Sequence, residues 1–258
     1  MGWHGLRLAF GMLSVLPVRV THVDRGSAGR AMLSAPLVGL VLGALAALPL
    51  ALAPLGGPLL ASALAAGALA LLTRGLHLDG LADLADGLGS GKPAASALEI
   101  MKKSDIGPFG VLTLVFGVLC QVSALAQATA AGNGAAALIT ACVTGRLAIT
   151  WACRSGVPSA RPEGLGTLVA QTVRLRGALL VTFLATVAVL GSGTLLAGGW
   201  GAPIRIAPYG AALLAGLGAA WILRRHAVRR LGGITGDVLG ALAEVAFTAA
   251  VVTVAILS

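Results

Sequence analysis

Long apolar runs alternate with short polar segments along the whole chain. The runs fall at about 31–53, 58–73, 107–131, 135–153, 177–198, 207–223 and 238–257. Each is near the roughly 20 residues that a helix needs to cross a bilayer, and those at 58–73 and 207–223 are the shortest. Ahead of them, Trp3, Leu6, Phe10 and Leu13 recur at helical spacing and the pattern stops at Pro17. A piece this short and interrupted predicts a helix lying at the membrane interface. The pattern therefore predicts an all-α fold: a polytopic integral membrane helix bundle, one domain over residues 1–258, with about seven transmembrane helices plus an N-terminal interfacial helix. Residues 75–106 depart from it. They are too polar to span and too rich in helix formers for a plain loop. They read as a helix through Asp86, a Gly/Ser/Pro break at Gly87–Pro93, and a second helix around Ala94–Lys103.

Composition agrees with the hydropathy pattern. The chain is 57% hydrophobic and 10% charged, against about 25% charged residues in an ordinary soluble domain. The net charge of +9 invites a nucleic-acid reading, but aromatics are only 4% and no separate basic domain exists. Nucleic acid is therefore excluded as a partner, and the basic residues report topology and contact with anionic membrane lipid. Every Lys and Arg except Arg146 and Arg205 falls in the N-terminal segment or in the loops after the second, fourth and sixth runs. By the positive-inside rule this predicts a multi-pass protein of the cell (inner) membrane, with a cytoplasmic N-terminus and an external C-terminus. The tract Arg224–Arg230 reads as a lipid-headgroup anchor. Arg7 within the first apolar stretch, and no small-residue cleavage site after it, predict that no signal peptide is removed. Cys120, Cys142 and Cys153 form no C-x-x-C pair and read as small core residues. His4, His22 and His226 read as solvated. Self-association stays open.

Three of the nine acidic residues lie in one short stretch, Gly75–Gly87. On a helix Asp79, Asp83 and Asp86 fall at i, i+4 and i+7, so three carboxylates share one face. Three like charges this close repel unless a cation sits among them, and a divalent ion carrying a phosphate-bearing substrate is the simplest candidate. Gly80 and Gly87 remove side chains beside that face and would let a bulky anion approach. Lys102 and Lys103 suit the remaining phosphate oxygens. His77 is a candidate general base or ligand, and equally a hydrogen-bonded interfacial histidine. Gly232–Asp237 offers a glycine-rich turn at a helix N-terminus, including Gly236 and Asp237, or simply a loop before a helix. Arg146 and Glu244 are charges inside apolar runs. Such groups face a bundle interior or a wet cavity; for Glu244, a structural hydrogen bond and a functional role are equally open.

The segment Gly75-Leu76-His77-Leu78-Asp79-Gly80-Leu81-Ala82-Asp83-Leu84-Ala85-Asp86-Gly87 resembles the signature of the cobalamin synthase (adenosylcobinamide-GDP ribazoletransferase) family. Further landmarks are similar: Leu16-Pro17-Val18, Pro36-Leu37-Val38-Gly39, Ile106-Gly107-Pro108-Phe109-Gly110, and Gly233-Ile234-Thr235-Gly236-Asp237 followed by Gly240-Ala241 and Glu244. The order Lys103-Ser104-Asp105 is reversed relative to the usual acidic-then-basic pattern. The resemblance runs essentially end to end. It implies a Mg²⁺-dependent phosphotransferase with its active site facing the cytoplasm. Adenosylcobinamide-GDP and α-ribazole, or α-ribazole 5′-phosphate, would give adenosylcobalamin, or its 5′-phosphate, with release of GMP. On that reading Asp79, Asp83 and Asp86 hold the metal. His77, Asp83, Asp86 and Asp237 are the catalytic set. Gly80, Gly87, Lys102, Lys103, Arg146, Gly236 and Glu244 contact substrate. Two competitors are a CDP-alcohol phosphotransferase, whose Asp-Gly-x-x-Ala-Arg order is missing here, and a cation-coupled transporter using the acidic cluster as an ion site.

Overall fold

The computed structural model describes residues 3–20, 23–196 and 203–257, with the side chains of residues 203–205 outside that description. His22 and the Arg205 side chain therefore lie outside the described residues. The described residues fold into eleven α-helices: α1 (Trp3–Leu13), α2 (Arg25–Ala46), α3 (Ala53–Leu72), α4 (Leu76–Gly89), α5 (Ala94–Ile100), α6 (Pro108–Ala130), α7 (Gly134–Ala152), α8 (Leu165–Val169), α9 (Leu175–Leu196), α10 (Pro203–Leu231) and α11 (Gly236–Leu257). The described residues contain no strand, only two isolated parallel bridges, Arg154 with Val173 and Ser159 with Ile234. The all-α membrane bundle read from the hydropathy pattern is what the chain forms.

Among the described residues, six helical stretches are long and apolar enough to cross a membrane, which makes this a multi-pass membrane protein. The first is 48 residues, Arg25–Leu72, and takes in the first two of the seven apolar runs. It is helical almost throughout because the connection is itself apolar: a 3-10 turn, Leu48–Leu52, then a kink at Gly57, whose φ of +82° a side chain would resist. The two arms nevertheless fold back. The Leu72 carbonyl accepts the Val15 N–H, and Met32 lines the same cavity as Leu76. The end of α3 thus returns to the level of the start of α2. Asp24 caps α2, its carboxylate accepting the Ser27 N–H while the Ser27 hydroxyl accepts the Asp24 N–H.

α7 is the axis of the bundle. Of its most apolar stretch 89% is buried, against 22% for α6 and for α9, whose outer faces are left for lipid. Helices pack on it closely because small residues face it. A Cβ on Gly39 would come 2.5 Å from the Cys142 carbonyl oxygen, and one on Gly43 would come 3.0 Å from the Cα of Ile139. Cys142 and Cys153 are buried as expected. Cys120 is exposed on the outer face of α6, so the core reading fails there: its neighbours on that face, Phe116 and Leu119, are exposed as well.

The polar connections gather at one end. Arg25 donates to the carbonyls of Thr167 and Ala170, joining the start of α2 to α8. Ala160 N–H donates to the Ile234 carbonyl and Ile234 N–H to that of Pro158, joining the loop after α7 to the turn before α11. Arg161 donates to the Leu98 carbonyl at the end of α5. α4, α5 and α8 therefore form a polar cap on the bundle, where the chemistry-bearing residues lie. α1 packs on the start of α2 with Leu8, Ala9 and Leu13 buried and Trp3 exposed.

Candidate active site

α4 carries the acidic face, and it sits against the first turns of α11 with no room to spare. A Cβ on Gly80 would stand 2.7 Å from the Asp237 carbonyl oxygen, and one on Gly240 would meet the His77 backbone at 3.2 Å. Gly80 thus permits a helix-to-helix contact, and what it admits is α11 rather than a ligand. The contact sets Asp237 beside Asp79 and Asp83. Asp79 is exposed, Asp83 and Asp237 half-buried. Thr235 positions Asp237: its hydroxyl bonds the carboxylate at 3.2 Å and accepts the Val238 N–H at the start of α11.

A cavity of about 230 Å³ opens here, its walls including His77, Asp79, Gly236 and Asp237. His77 is buried, and neither ring nitrogen has a protein partner. Burial, reinforced by the Arg146 charge, holds its pKa well below the usual range, so the imidazole is neutral. The Asp83 carboxyl is pushed the other way. Burial and the like charges of Asp79, Asp237 and Asp86 raise it from 3.8 to about 6, against a smaller opposing pull from Arg161. The folded state therefore holds this proton more tightly than the unfolded chain does. Stability should fall as pH rises from about 4 to about 6 and level off above that. Thermal unfolding in detergent without divalent cations should show that slope. Asp83→Asn should flatten it, and an unchanged slope in the variant would refute the assignment.

Asp86 stands apart from this group. Its Oδ2 accepts the Gly107 N–H at 2.7 Å and its Oδ1 the Gly110 N–H at 2.9 Å. Those are the N-cap and third residue of α6, which has no side-chain cap of its own. The carboxylate of α4 thus caps α6, and a Cβ on either glycine would collide with it at 2.5 Å. The i, i+4, i+7 spacing does place Asp86 on the acidic face, but one turn farther along, where α6 takes it. Gly87 also has a different role from the one expected: it makes room for Met101, whose Sδ would lie 2.8 Å from an added Cβ.

Arg161 joins this candidate site although the sequence does not single it out. Its Nη1 lies 3.6 Å from Asp237 Oδ2 while Nη2 is held by the Leu98 carbonyl at 2.8 Å. It also lines a groove of about 550 Å³ with Lys92, Lys102 and Lys103. The groove's one acid, Glu99, is paired with Lys102 at 2.8 Å. Asp105 is exposed and does not line the groove. An open basic groove thus adjoins the acidic cavity, with Arg161 common to the groove and to Asp237. Arg146 and Glu244 lie deeper. Arg146 is buried in α7 with Nε and Nη2 unpartnered. Glu244 accepts from Gln121 at 2.9 Å, and Gln121 also bonds Thr248. That is the structural hydrogen bond between helices, and neither Arg146 nor Glu244 lines the cavity or the groove.

Among the described residues no three His, Cys, Asp or Glu side chains form a group that could hold a metal ion unaided. Magnesium does not require one, because it commonly binds through one or two carboxylates plus substrate phosphates. Asp79 and Asp237 line the cavity, Asp83 stands beside them, and basic residues line the next groove, a charge pattern into which a metal–diphosphate would fit.

A sequence model described as cobalamin-5-phosphate synthase matches residues 5–255. The chain belongs to that family. It is 47% identical over 260 residues to an adenosylcobinamide-GDP ribazoletransferase of Frankia casuarinae, covering 96% of this chain and 93% of the relative. It is 42% identical to a protein of the same name from Nocardioides sp., covering 94% of each. A third from Stutzerimonas stutzeri is 39% identical, covering 97% of each. No solved structure matches.

Proposed function

We infer that the protein is an adenosylcobinamide-GDP ribazoletransferase. It joins adenosylcobinamide-GDP to α-ribazole, or its 5′-phosphate, to give adenosylcobalamin, or its 5′-phosphate, and GMP, the last assembly step of cobalamin biosynthesis. The observation that carries this reading is the likeness to transferases of that name over nearly the whole chain. The α4 motif supports it by lying where a diphosphate would need opposite charges on two sides. Asp79, Asp83 and Asp237 hold the metal-bearing side of the diphosphate, with Asp237 taking the place that spacing alone gave to Asp86. When bound there, Mg²⁺ supplies charge neutralisation at the departing phosphate. Arg161, with Lys102 and Lys103 beside it, holds the other phosphate oxygens. The attacking ribazole hydroxyl gives its proton to a carboxylate of this cavity or to His77 as its oxygen bonds the phosphorus nearer the corrinoid. The bond to GMP breaks on the opposite side. This end of the bundle carries the basic loops, so by the positive-inside rule it faces the cytoplasm across the inner membrane.

The direct test incubates membranes containing the protein with adenosylcobinamide-GDP, α-ribazole and Mg²⁺ and measures GMP. No GMP under those conditions would overturn the reading. Turnover of a CDP-alcohol, or ion flux into proteoliposomes without GMP, would install one of the competitors.

Arg161→Ala should lower the rate by about 10–100-fold, the range for residues that orient ligands, with Arg161→Lys recovering part of it. A rate within twofold of wild type for Arg161→Ala, at saturating and limiting substrate alike, would remove Arg161 from the site.

A further inference from the structure

On the other side of α7 and α11 from the acidic cavity lies a second cavity, of about 290 Å³, lined by Trp151, Leu217, Trp221, Leu242 and Arg224 among others. Ala148, Ala152 and Leu242 face this cavity, whereas Ile149 and Leu239 face the acidic one. It is apolar except for Arg224. It sits at the polar-cap end of the bundle, since Trp151 is in the last turn of α7. Its α10 wall runs into an exposed apolar face that includes Leu214, Trp221 and Ile222.

The rim is basic. Arg224 Nη1 donates to the Trp151 carbonyl at 3.1 Å. The Arg154 guanidinium lies 5.7 Å from the Trp151 ring and that of Arg225 lies 4.8 Å from the Trp221 ring. Both repel the Arg224 charge. Arg154 Nε is buried without a partner, and no carboxylate among the described residues pairs with any of the three. Mutually repelling guanidiniums around a greasy slot, flanked by two interfacial tryptophans, lack an anion with an apolar tail.

We propose that this cavity binds an anionic phospholipid of the leaflet at the polar-cap end. An acyl chain lies between Trp151 and Trp221, and the headgroup phosphate rests on Arg154 and Arg224. A soluble phosphate would leave the apolar slot unfilled. A zwitterionic lipid would bring a quaternary ammonium toward three positive charges.

The test uses the full-length protein in nanodiscs of phosphatidylcholine doped with a small fraction of brominated lipid, which quenches tryptophan on contact. Brominated phosphatidylglycerol should quench more strongly than brominated phosphatidylcholine at the same fraction, and Trp221→Phe should remove much of the difference. Each arginine lost should reduce the headgroup preference about fivefold, so Arg154→Gln/Arg224→Gln should nearly abolish it. Arg154→Lys/Arg224→Lys should retain most of it. Equal quenching by the two headgroups in wild type would overturn the proposal, as would a preference untouched by the glutamine pair. Should that pair fail to reconstitute, the wild-type comparison and Trp221→Phe still decide.

Discussion

Asp83→Asn is expected to abolish turnover, by about a thousandfold or more, while the protein still inserts and folds. The substitution is isosteric and removes a negative charge from a crowded group, so the bundle should gain rather than lose stability at neutral pH. A metal–diphosphate, by contrast, loses the central one of its three carboxylates, and losses of this size are usual when a charged group at the reacting centre is removed. The measurement is GMP release at saturating Mg²⁺, alongside the detergent unfolding midpoint. A nearly wild-type rate in a properly folded Asp83→Asn protein would defeat the assignment of the acidic face to chemistry.

Asp86→Ala should behave in the opposite way. The side chain receives two backbone N–H groups of α6, and its loss leaves both without an acceptor in a half-buried or buried setting. Hydrogen bonds to a charged group contribute about 1.5–3 kcal/mol each, so a loss of about 3–6 kcal/mol is expected. Asp86→Asn keeps one acceptor and should lose roughly half of that. The check is the unfolding midpoint in detergent. If Asp86→Ala matched wild type in stability but lost all activity, Asp86 would belong with the metal-holding carboxylates after all.

The contrast between these two aspartates marks what the sequence made legible. Hydropathy gave the bundle, because each apolar run is long enough to be recognised without knowing its neighbours. Its seven runs match the helices, although the first two run together as one 48-residue helical stretch, because the turn between α2 and α3 contains no polar residue to end a helix. The acidic face was legible from helical spacing alone. Which carboxylates would meet was not, since Asp79 and Asp237 are far apart in the chain and come together only where Gly80 and Gly240 let α4 and α11 touch. The cap on α6 did leave a signal, in two glycines at its start with no local side chain to accept their N–H groups. Arg161 left none. In a basic loop it is indistinguishable from a topology determinant, and the Ser159–Ile234 pairing that delivers it to Asp237 has no local periodicity.

The seclusion of α7 bears on how the protein is made. Its mean hydropathy, 1.5, is the lowest of the six stretches, and it holds Arg146 near its middle. An arginine at the centre of a lone helix opposes insertion by about 2.5–3.5 kcal/mol on translocon scales, and α7 has little outward face with which to offset it. During biogenesis this segment would have to wait in the insertion machinery, or lodge against α2, until α10 and α11 emerge to enclose it. Defects in the lining of those later helices should therefore surface as failed assembly and clearance by membrane proteases, before any loss of affinity could be measured.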